Sequence, residues 1–373
     1  MKIVFILNTS GLYGANRSLL GLIGYLVDHG VKCFAILPQK GLVEEELAKL
    51  GVEYIVVEYR ACVWYPGYIG LPFIVNLLSI PKMFSKIRNW DVDIIHSNNS
   101  SHDVGIILAK LLHKKHVWHI REIMEHNYNA KYIFPRFYKR LRAESDAVIC
   151  VSKFIYEYHM ANFPNNHMTA IYNPYDTDYY NITRKDFAPN ETITILMAGN
   201  FTEYKRQIDS VEAIKHLVDR GIKNIKLILA GDGEPAYKEK LISFIQNNHL
   251  EHWIEMIGFT KDLRDVSKRS DISLCCSVDE ALPRVVVEGM LGELLSIGAN
   301  SGGIAELIEH QKSGLLYEVG NSKELAEQIE YAINHKVECR KMITTAKAFA
   351  IQNFSANNNC AQILSLYKEL LEK

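Results

Sequence analysis

Short, fully apolar runs alternate along the chain with stretches whose apolar positions recur at helical spacing. "KIVFILN" leads into "NRSLLGLIGYLVDHG", "KCFAILP" into "LVEEELAKLG", and "DIIHSN" into "DVGIILAKLLHKK" before "HVWHIRE". "DAVICVS" and "TAIYNP" continue the series. Strands without polar alternation are those buried on both faces, and with helices between them they predict a parallel sheet covered on both sides. After a polar, aperiodic stretch at 184–191 that carries Pro189, the rhythm restarts with "TITILMAGN", "IKLILAGDG", "IEMIGF" and "DISLCC". That stretch reads as an interdomain linker. The chain therefore reads as two doubly wound α/β domains, 1–183 and 184–354, with a last helix at 355–373 packing back on the first. Ligands of such sheets bind beyond the carboxyl ends of the strands, which makes a cleft between the domains the expected site.

Composition narrows this only slightly. The length of 373 residues suits two domains, and a net charge of −1 leaves no global field to recruit nucleic acid. Seven cysteines, an odd number with no C-x-x-C spacing, read as free thiols in a reducing compartment. "MKIVFILNTSGLYG" lacks a small-residue cleavage site and reads as a buried strand, so a cytoplasmic location is expected. From Ala61 to Pro81 no residue is charged, a length close to a membrane span. Pro66, Gly67, Gly70, Pro72 and Asn76 break it, so it reads as a loop and short helix that pack on the core or touch a lipid surface.

Candidate chemistry gathers at strand ends. Gly11, Gly14 and Ala15 follow the first strand, where a turn opening a helix either presents amides to an anion or is only tight. Lys205 and Arg206 in "AGNFTEYKRQ" would begin the next helix, where adjacent cations oppose the helix dipole unless an anion compensates. Gly231 and Gly233, then Gly302 and Gly303, repeat the strand-to-glycine turn and suggest a nucleotide-binding rim. The aspartates of "DVDIIH" precede their strand, at the wrong end for a metal site, and no histidine spacing suits a metal. His119 ends an apolar run with Arg121 and Glu122 behind it, either as a satisfied core histidine or as a site residue. "DEALPRVVVEGM" sets Glu280 and Glu288 either side of an apolar run that local propensity alone would make a strand.

Taken in order, "GLYGANRSLLGL", "DIIHSNNS", "VWHIRE", "CVSKF", "IYNPYDTDYY", "GNFTEYKRQ", "LAGDGE", "EALPRVVVE" and "NSGGIAELI" resemble the blocks of the retaining glycosyltransferases of family 4, which have the GT-B fold. "EALPRVVVE" looks like that family's E-x7-E motif. The resemblance implies that "RVVV" is the buried start of a helix, that Glu288 binds the donor's ribose and that Glu280 stands beside the donor sugar. It implies further that Leu282, Pro283, Arg284 and Val285 lie along the donor, with Gly231 and Asn200 at the same rim. Lys205 matches the diphosphate-binding lysine, Gly14 the glycine turn facing the diphosphate, and His119 the acceptor-side histidine. Asn98, Arg121, Glu122 and Asn173 fall in the acceptor-side blocks. Asn200 stands where an arginine is common, so Arg206 is expected to supply that charge. Gly289 and "LGELL" also depart from the family pattern.

The implied activity is transfer of a hexose or N-acetylhexosamine from a nucleotide-diphosphate sugar, UDP more often than GDP, with retained configuration and without a metal or other cofactor. A lipid-linked or oligosaccharide acceptor in a bacterial surface polysaccharide pathway follows by analogy alone. "KYIFPRFYKRLR" (Lys131–Arg142) has five basic residues and no acidic one, which reads as a solvated helix face or as a peripheral contact with the inner membrane. An epimerase or phosphorylase of the same fold, or a non-catalytic sugar-binding relative, is the alternative reading.

Overall fold

The computed structural model describes residues 1–64, 72–128, 130–183, 186–188, 191–260 and 262–372. The chain divides into one unit of Met1–Tyr175 with Phe354–Lys373, and a second of Asp176–Asn353. Parts of the expected linker and of the uncharged stretch, at 184–185, 189–190 and 65–71, lie outside the described residues.

Among the described residues, the first unit contains strands β1 (Lys2–Leu7), β2 (Lys32–Leu37), β3 (Glu53–Val56), β4 (Val63–Trp64), β5 (Ile94–Asn98), β6 (Lys115–Ile120), β7 (Lys131–Tyr132), β8 (Ala147–Cys150) and β9 (Met168–Ala170). Seven of them form a sheet of order β3-β2-β1-β5-β6-β8-β9, every pair parallel. β4 and β7 form a separate antiparallel pair, Val63 opposite Tyr132. Ile3, Phe5 and Leu7 of β1 face one core while Val4 and Ile6 face another, so from Ile3 to Leu7 no side chain of this strand faces water. The helix Ala356–Glu372 completes the first core with Cys360, Ile363 and Tyr367.

The second unit has β10 (Ile193–Ala198), β11 (Ile225–Ala230), β12 (Ile254–Gly258), β13 (Ile272–Cys275), β14 (Leu295–Ala299) and β15 (Leu315–Tyr317). They lie in the order β12-β11-β10-β13-β14-β15, again all parallel. This is the Rossmann strand order, reversing direction between β10 and β13. β3, β14 and β15 escape the sequence pattern because "LLSIGA" merges with the preceding helix and the other two are short.

One segment overrides its local propensity, as the family resemblance implies, and the reading of the basic run changes. "RVVV" belongs to the helix Arg284–Leu291 despite its β-branched residues, because Val286 and Val287 bury completely against the sheet. Tertiary burial outweighs the few tenths of a kcal/mol per residue that propensity withholds. In the basic run, Arg142 is fully buried. It donates to His159 Nδ1 at 2.8 Å and to the Tyr132 hydroxyl, and its guanidinium lies over the Phe163 ring.

His96, His102, His116, His119 and His159 are all buried in the first unit. Burial pulls each below the ordinary imidazole value, His102 to about 4 and His116 to about 3. Unfolded, they would take up protons below about pH 6.5. The folded state is therefore undisturbed by them above that pH and loses stability as pH falls toward the folded values, by about 1.4 kcal/mol per pH unit for each histidine. The thermal midpoint is expected to fall steeply between about pH 7 and pH 5, with net proton uptake on unfolding measurable by calorimetry in buffers of different ionisation enthalpy. A midpoint flat over that range would contradict the neutral histidines.

Candidate active site

In the second unit, β10 feeds a helix leading to β11 on one side and β13 feeds one leading to β14 on the other. The loops that follow these two strands must diverge, leaving a crevice at their carboxyl ends. After β10 comes a single 3-10 turn, Glu203–Lys205, and then the helix Gln207–Asp219, so the helix begins after the two cations rather than with them. After β13 comes the loop that carries Glu280.

Lys205 Nζ donates to Glu280 Oε1 across this crevice. Their side chains are 27% and 11% exposed, so the pair is half-shielded yet reachable. Burial pulls the lysine below its ordinary value, and the neighbouring Cys275 thiol opposes that. The loops are also joined by Val278 N–H donating to Tyr204 O at 3.2 Å, while Lys205 Nζ lies 5.3 Å from the Tyr204 ring centre. Asn200 is exposed at the strand end, and its carbonyl accepts from Gln207 Nε2 at 2.9 Å.

Arg206 has a carboxylate partner on its own helix. Its backbone adopts a left-handed conformation (φ 53°), and its guanidinium makes two 2.8 Å hydrogen bonds to Asp209. A buried carboxylate three residues ahead on the helix is the nearer partner. The glycine turns also read differently. A Cβ on Gly231 would stand 2.0 Å from Gly199 O, and one on Gly303 would stand 2.4 Å from Ala281 O. Both glycines let one backbone rest on another; Gly303 N–H donates to Glu280 O at 2.6 Å. Ser301 adds a latch, its Oγ donating to Asp279 Oδ1 at 2.6 Å and accepting from Asp279 N–H at 2.9 Å.

The helix Arg284–Leu291 starts at Pro283, its N-cap residue, with Leu282 buried just before it. Val285 O accepts from Ser273 Oγ on β13 at 3.1 Å, which fixes the helix start to the sheet. One turn in, Glu288 accepts from Arg284 Nη2 at 3.0 Å, and the same nitrogen lies 3.4 Å from the Tyr180 hydroxyl. The departure at "LGELL" has a structural use: Glu293 accepts from Arg340 Nη1 at 2.6 Å and Lys347 Nζ at 2.8 Å.

In the first unit, the strand order reverses between β1 and β5, and a second polar cluster sits near those strand ends. Arg121 is its hub. Its Nε donates to Asn98 Oδ1 at 2.5 Å, its Nη1 to Asn173 Oδ1, and its Nη2 lies 3.3 Å from His119 Nδ1. Asn98 and His119 are register partners on β5 and β6, and Asn98 Nδ2 reaches Asn16 Oδ1 at 3.4 Å. His119 is 1% exposed, with no hydrogen-bond partner on Nε2; burial first, then Arg121, keeps it neutral. Glu122 accepts from Asn99 Nδ2. Gly14 is the first residue of the helix Gly14–Asp28, which has no side-chain cap.

Sequence reasoning missed Asp209, Ser301, Gln207 and Tyr180. Asp209 left a signal, the three-residue spacing from Arg206; Ser301 and Tyr180 act on residues far along the chain and left none.

Two parallel sheets of Rossmann type, each with a polar cluster at its switch-point strand ends, are the elements of a GT-B fold. Family models cover nearly the whole chain, one described as Glycosyltransferase Family 4 at residues 13–179 and one as Glycosyl transferases group 1 at 180–349. The chain belongs to this glycosyltransferase family. It is 25% identical to the N-acetyl-alpha-D-glucosaminyl L-malate synthase of Bacillus anthracis, over 92% of this chain and 97% of that one. It is 22% identical to the capsular polysaccharide biosynthesis glycosyltransferase CapH of Staphylococcus aureus, over 70% of each. A Campylobacter jejuni N-acetylgalactosaminyltransferase whose named acceptor is an undecaprenol-linked saccharide matches 41% of this chain and 42% of its own length at 25% identity. Among solved structures, Anabaena Alr3699/HepE in complex with UDP superimposes with a TM-score of 0.84 at 22% identity, covering 99% of this chain and 100% of that one.

Gly303→Ala is expected to push the Ala281 carbonyl away and loosen the Glu280 loop, costing about 2 kcal/mol or more. Chemical denaturation measures it; a variant as stable as the parent would show that the loop does not rest on this glycine.

Proposed function

We propose that the chain transfers a sugar from a UDP-sugar to a lipid-linked saccharide acceptor in the assembly of a bacterial surface polysaccharide, such as capsule, O-antigen or exopolysaccharide, with retention of configuration and without a metal ion. The Lys205–Glu280 contact at the β10/β13 switch point carries this reading. It holds an ammonium and a carboxylate where a sugar–diphosphate bond needs both signs of charge. The UDP bound to HepE and the acceptor of the Campylobacter transferase support the choice of donor and acceptor.

In this reading the β-phosphate of the donor takes Lys205 as its cation, together with the backbone N–H groups of Leu282, Arg284 and Val285 at the start of their helix. Glu280, released from the lysine, receives a hydroxyl of the donor sugar. As the anomeric carbon–oxygen bond breaks, its electron pair goes to the diphosphate and positive charge grows on the sugar ring. Glu280 and Lys205 then each face charge of opposite sign. The acceptor hydroxyl attacks from the face the phosphate leaves and gives its proton to the departing phosphate oxygen. Glu288 binds the ribose hydroxyls, with Arg284 fixing the carboxylate's orientation. Asn200 and Gly14 line the donor through backbone and turn. The Arg121 hub, with Asn98, Asn173 and neutral His119, serves the acceptor, and Glu122 orients its loop through Asn99. A small hydroxy-acid acceptor is the second reading, favoured by the near-complete overlap with the Bacillus anthracis malate synthase.

UDP-sugars are expected to raise the thermal midpoint where GDP-sugars do not, a ligand at a hundredfold excess over Kd adding about 2.7 kcal/mol. Lys205→Ala is expected to abolish that shift and lower kcat/KM about a hundredfold or more, as for loss of a group that holds transition-state charge. Glu280→Gln is expected to retain the UDP shift while losing kcat. Mass analysis of products from lipid-linked saccharides and from L-malate separates the two acceptors. A panel in which no nucleotide sugar stabilises the protein, or unchanged kinetics in Lys205→Ala, would overturn the reading.

A further inference from the structure

Several exposed large apolar side chains of the first unit lie on two neighbouring helices. On the helix Pro72–Trp90, Phe73, Ile74, Leu77 and Leu78 are exposed, Leu78 by 75%. Their spacing places them on a single stripe, while Asn76, Ser79, Met83, Ile87 and Trp90 on the other side are buried. Ile133, Phe134 and Phe137, at the start of the helix Pro135–Ala143, are exposed beside them. The Phe73 and Phe134 rings meet edge to face, 6.3 Å between centres, so the two groups form one patch. Trp64, 47% exposed, joins it through the β4–β7 pair.

A contiguous apolar patch of this kind on a soluble domain ordinarily has something that covers it. The charges beside it identify the cover. Neither 61–90 nor 131–143 contains an acidic residue. Lys82, Lys131, Arg136 and Lys139 are exposed there, whereas Arg142 is buried, Arg140 pairs with Glu144 and Lys86 pairs with Glu53. An apolar stripe flanked by the exposed cations Lys82, Lys131, Arg136 and Lys139 suits a surface that offers acyl chains beneath negative charge. A protein partner would be expected to leave some acidic residues on the rim for its own cations.

We propose that this face docks on an anionic bilayer, with Phe73, Ile74, Leu77, Leu78 and Phe134 in the headgroup–acyl boundary and Lys82, Arg136 and Lys139 on lipid phosphates. Among the described residues no helix is long and apolar enough to cross a membrane, so the helix lies along the surface. The inference gives the lipid-linked acceptor of the proposed function a location, but its test measures binding and needs no turnover.

The full chain is floated with vesicles of phosphatidylglycerol and phosphatidylcholine, and with phosphatidylcholine alone, at moderate salt. The parent protein is expected to float with the anionic vesicles only and to be released by high salt. The double variants Leu77→Asp/Leu78→Asp and Arg136→Glu/Lys139→Glu are each expected to bind about tenfold less or weaker. All four positions are exposed, so circular dichroism and the nucleotide-sugar thermal shift should match the parent. Binding of the parent to neither vesicle, or undiminished binding of the apolar variant, overturns the proposal. So does a dimer in light scattering that the apolar variant dissociates without any vesicle binding, since the patch would then be covered by a second copy. Loss of the UDP-sugar shift in the parent protein would instead count against the proposed function alone.

Discussion

A parallel sheet wrapped on both faces leaves only its strand ends for polar chemistry. β1 shows the constraint plainly: alternate residues enter two different cores, so neither set can carry charge. Where the strand order reverses, neighbouring loops are sent to opposite faces and cannot cover one another. Both units place their polar clusters there, Lys205 with Glu280 in one and Arg121 with Asn98, Asn173 and His119 in the other. The sheet thus decides where function can be, and the loops decide what it is.

The two units manage buried charge differently. In the first, arginines do most of the work: Arg121 is surrounded by amide oxygens and a neutral imidazole, and Arg142 by aromatic rings and a hydroxyl. The planar guanidinium suits such settings, since it spreads its charge and donates in fixed directions. In the second unit charge is met by charge, as in Arg206 with Asp209 and Glu293 with Arg340 and Lys347. Lys205 and Glu280 are another such pair, their side chains 27% and 11% exposed.

The sheets and most helices were legible because burial on both faces writes itself into the sequence as unbroken apolar runs. The helix Arg284–Leu291 was not legible from its own residues; only its likeness to a known block argued against a strand. The Arg206–Asp209 pair was not read, because the arginine's charge was counted without its side-chain partner three residues on. The glycines of "AGDGE" and "NSGG" look the same whether they admit a ligand or another stretch of backbone. At Gly231 and Gly303 the neighbour is backbone, at Gly199 and Ala281, which no local pattern could name. Arg142 shows the converse, a residue in a polar run whose place in the core depends on His159 and Phe163.

The chain leaves the first unit after Tyr175 and re-enters it at Phe354, where the two crossings lie side by side: Tyr175 N–H donates to Phe354 O at 2.9 Å and Ala356 N–H to Tyr175 O at 3.1 Å. The returning helix carries Cys360, Ile363, Tyr367 and Leu370 into the core beneath β1, and Tyr367 caps His96 at 2.7 Å. During synthesis that core stays open until residues 354–372 have left the ribosome, by which time the whole second unit is available to fold. The first unit to be translated is the last to close, and its exposed apolar surface in the interval is where a chaperone would find this chain.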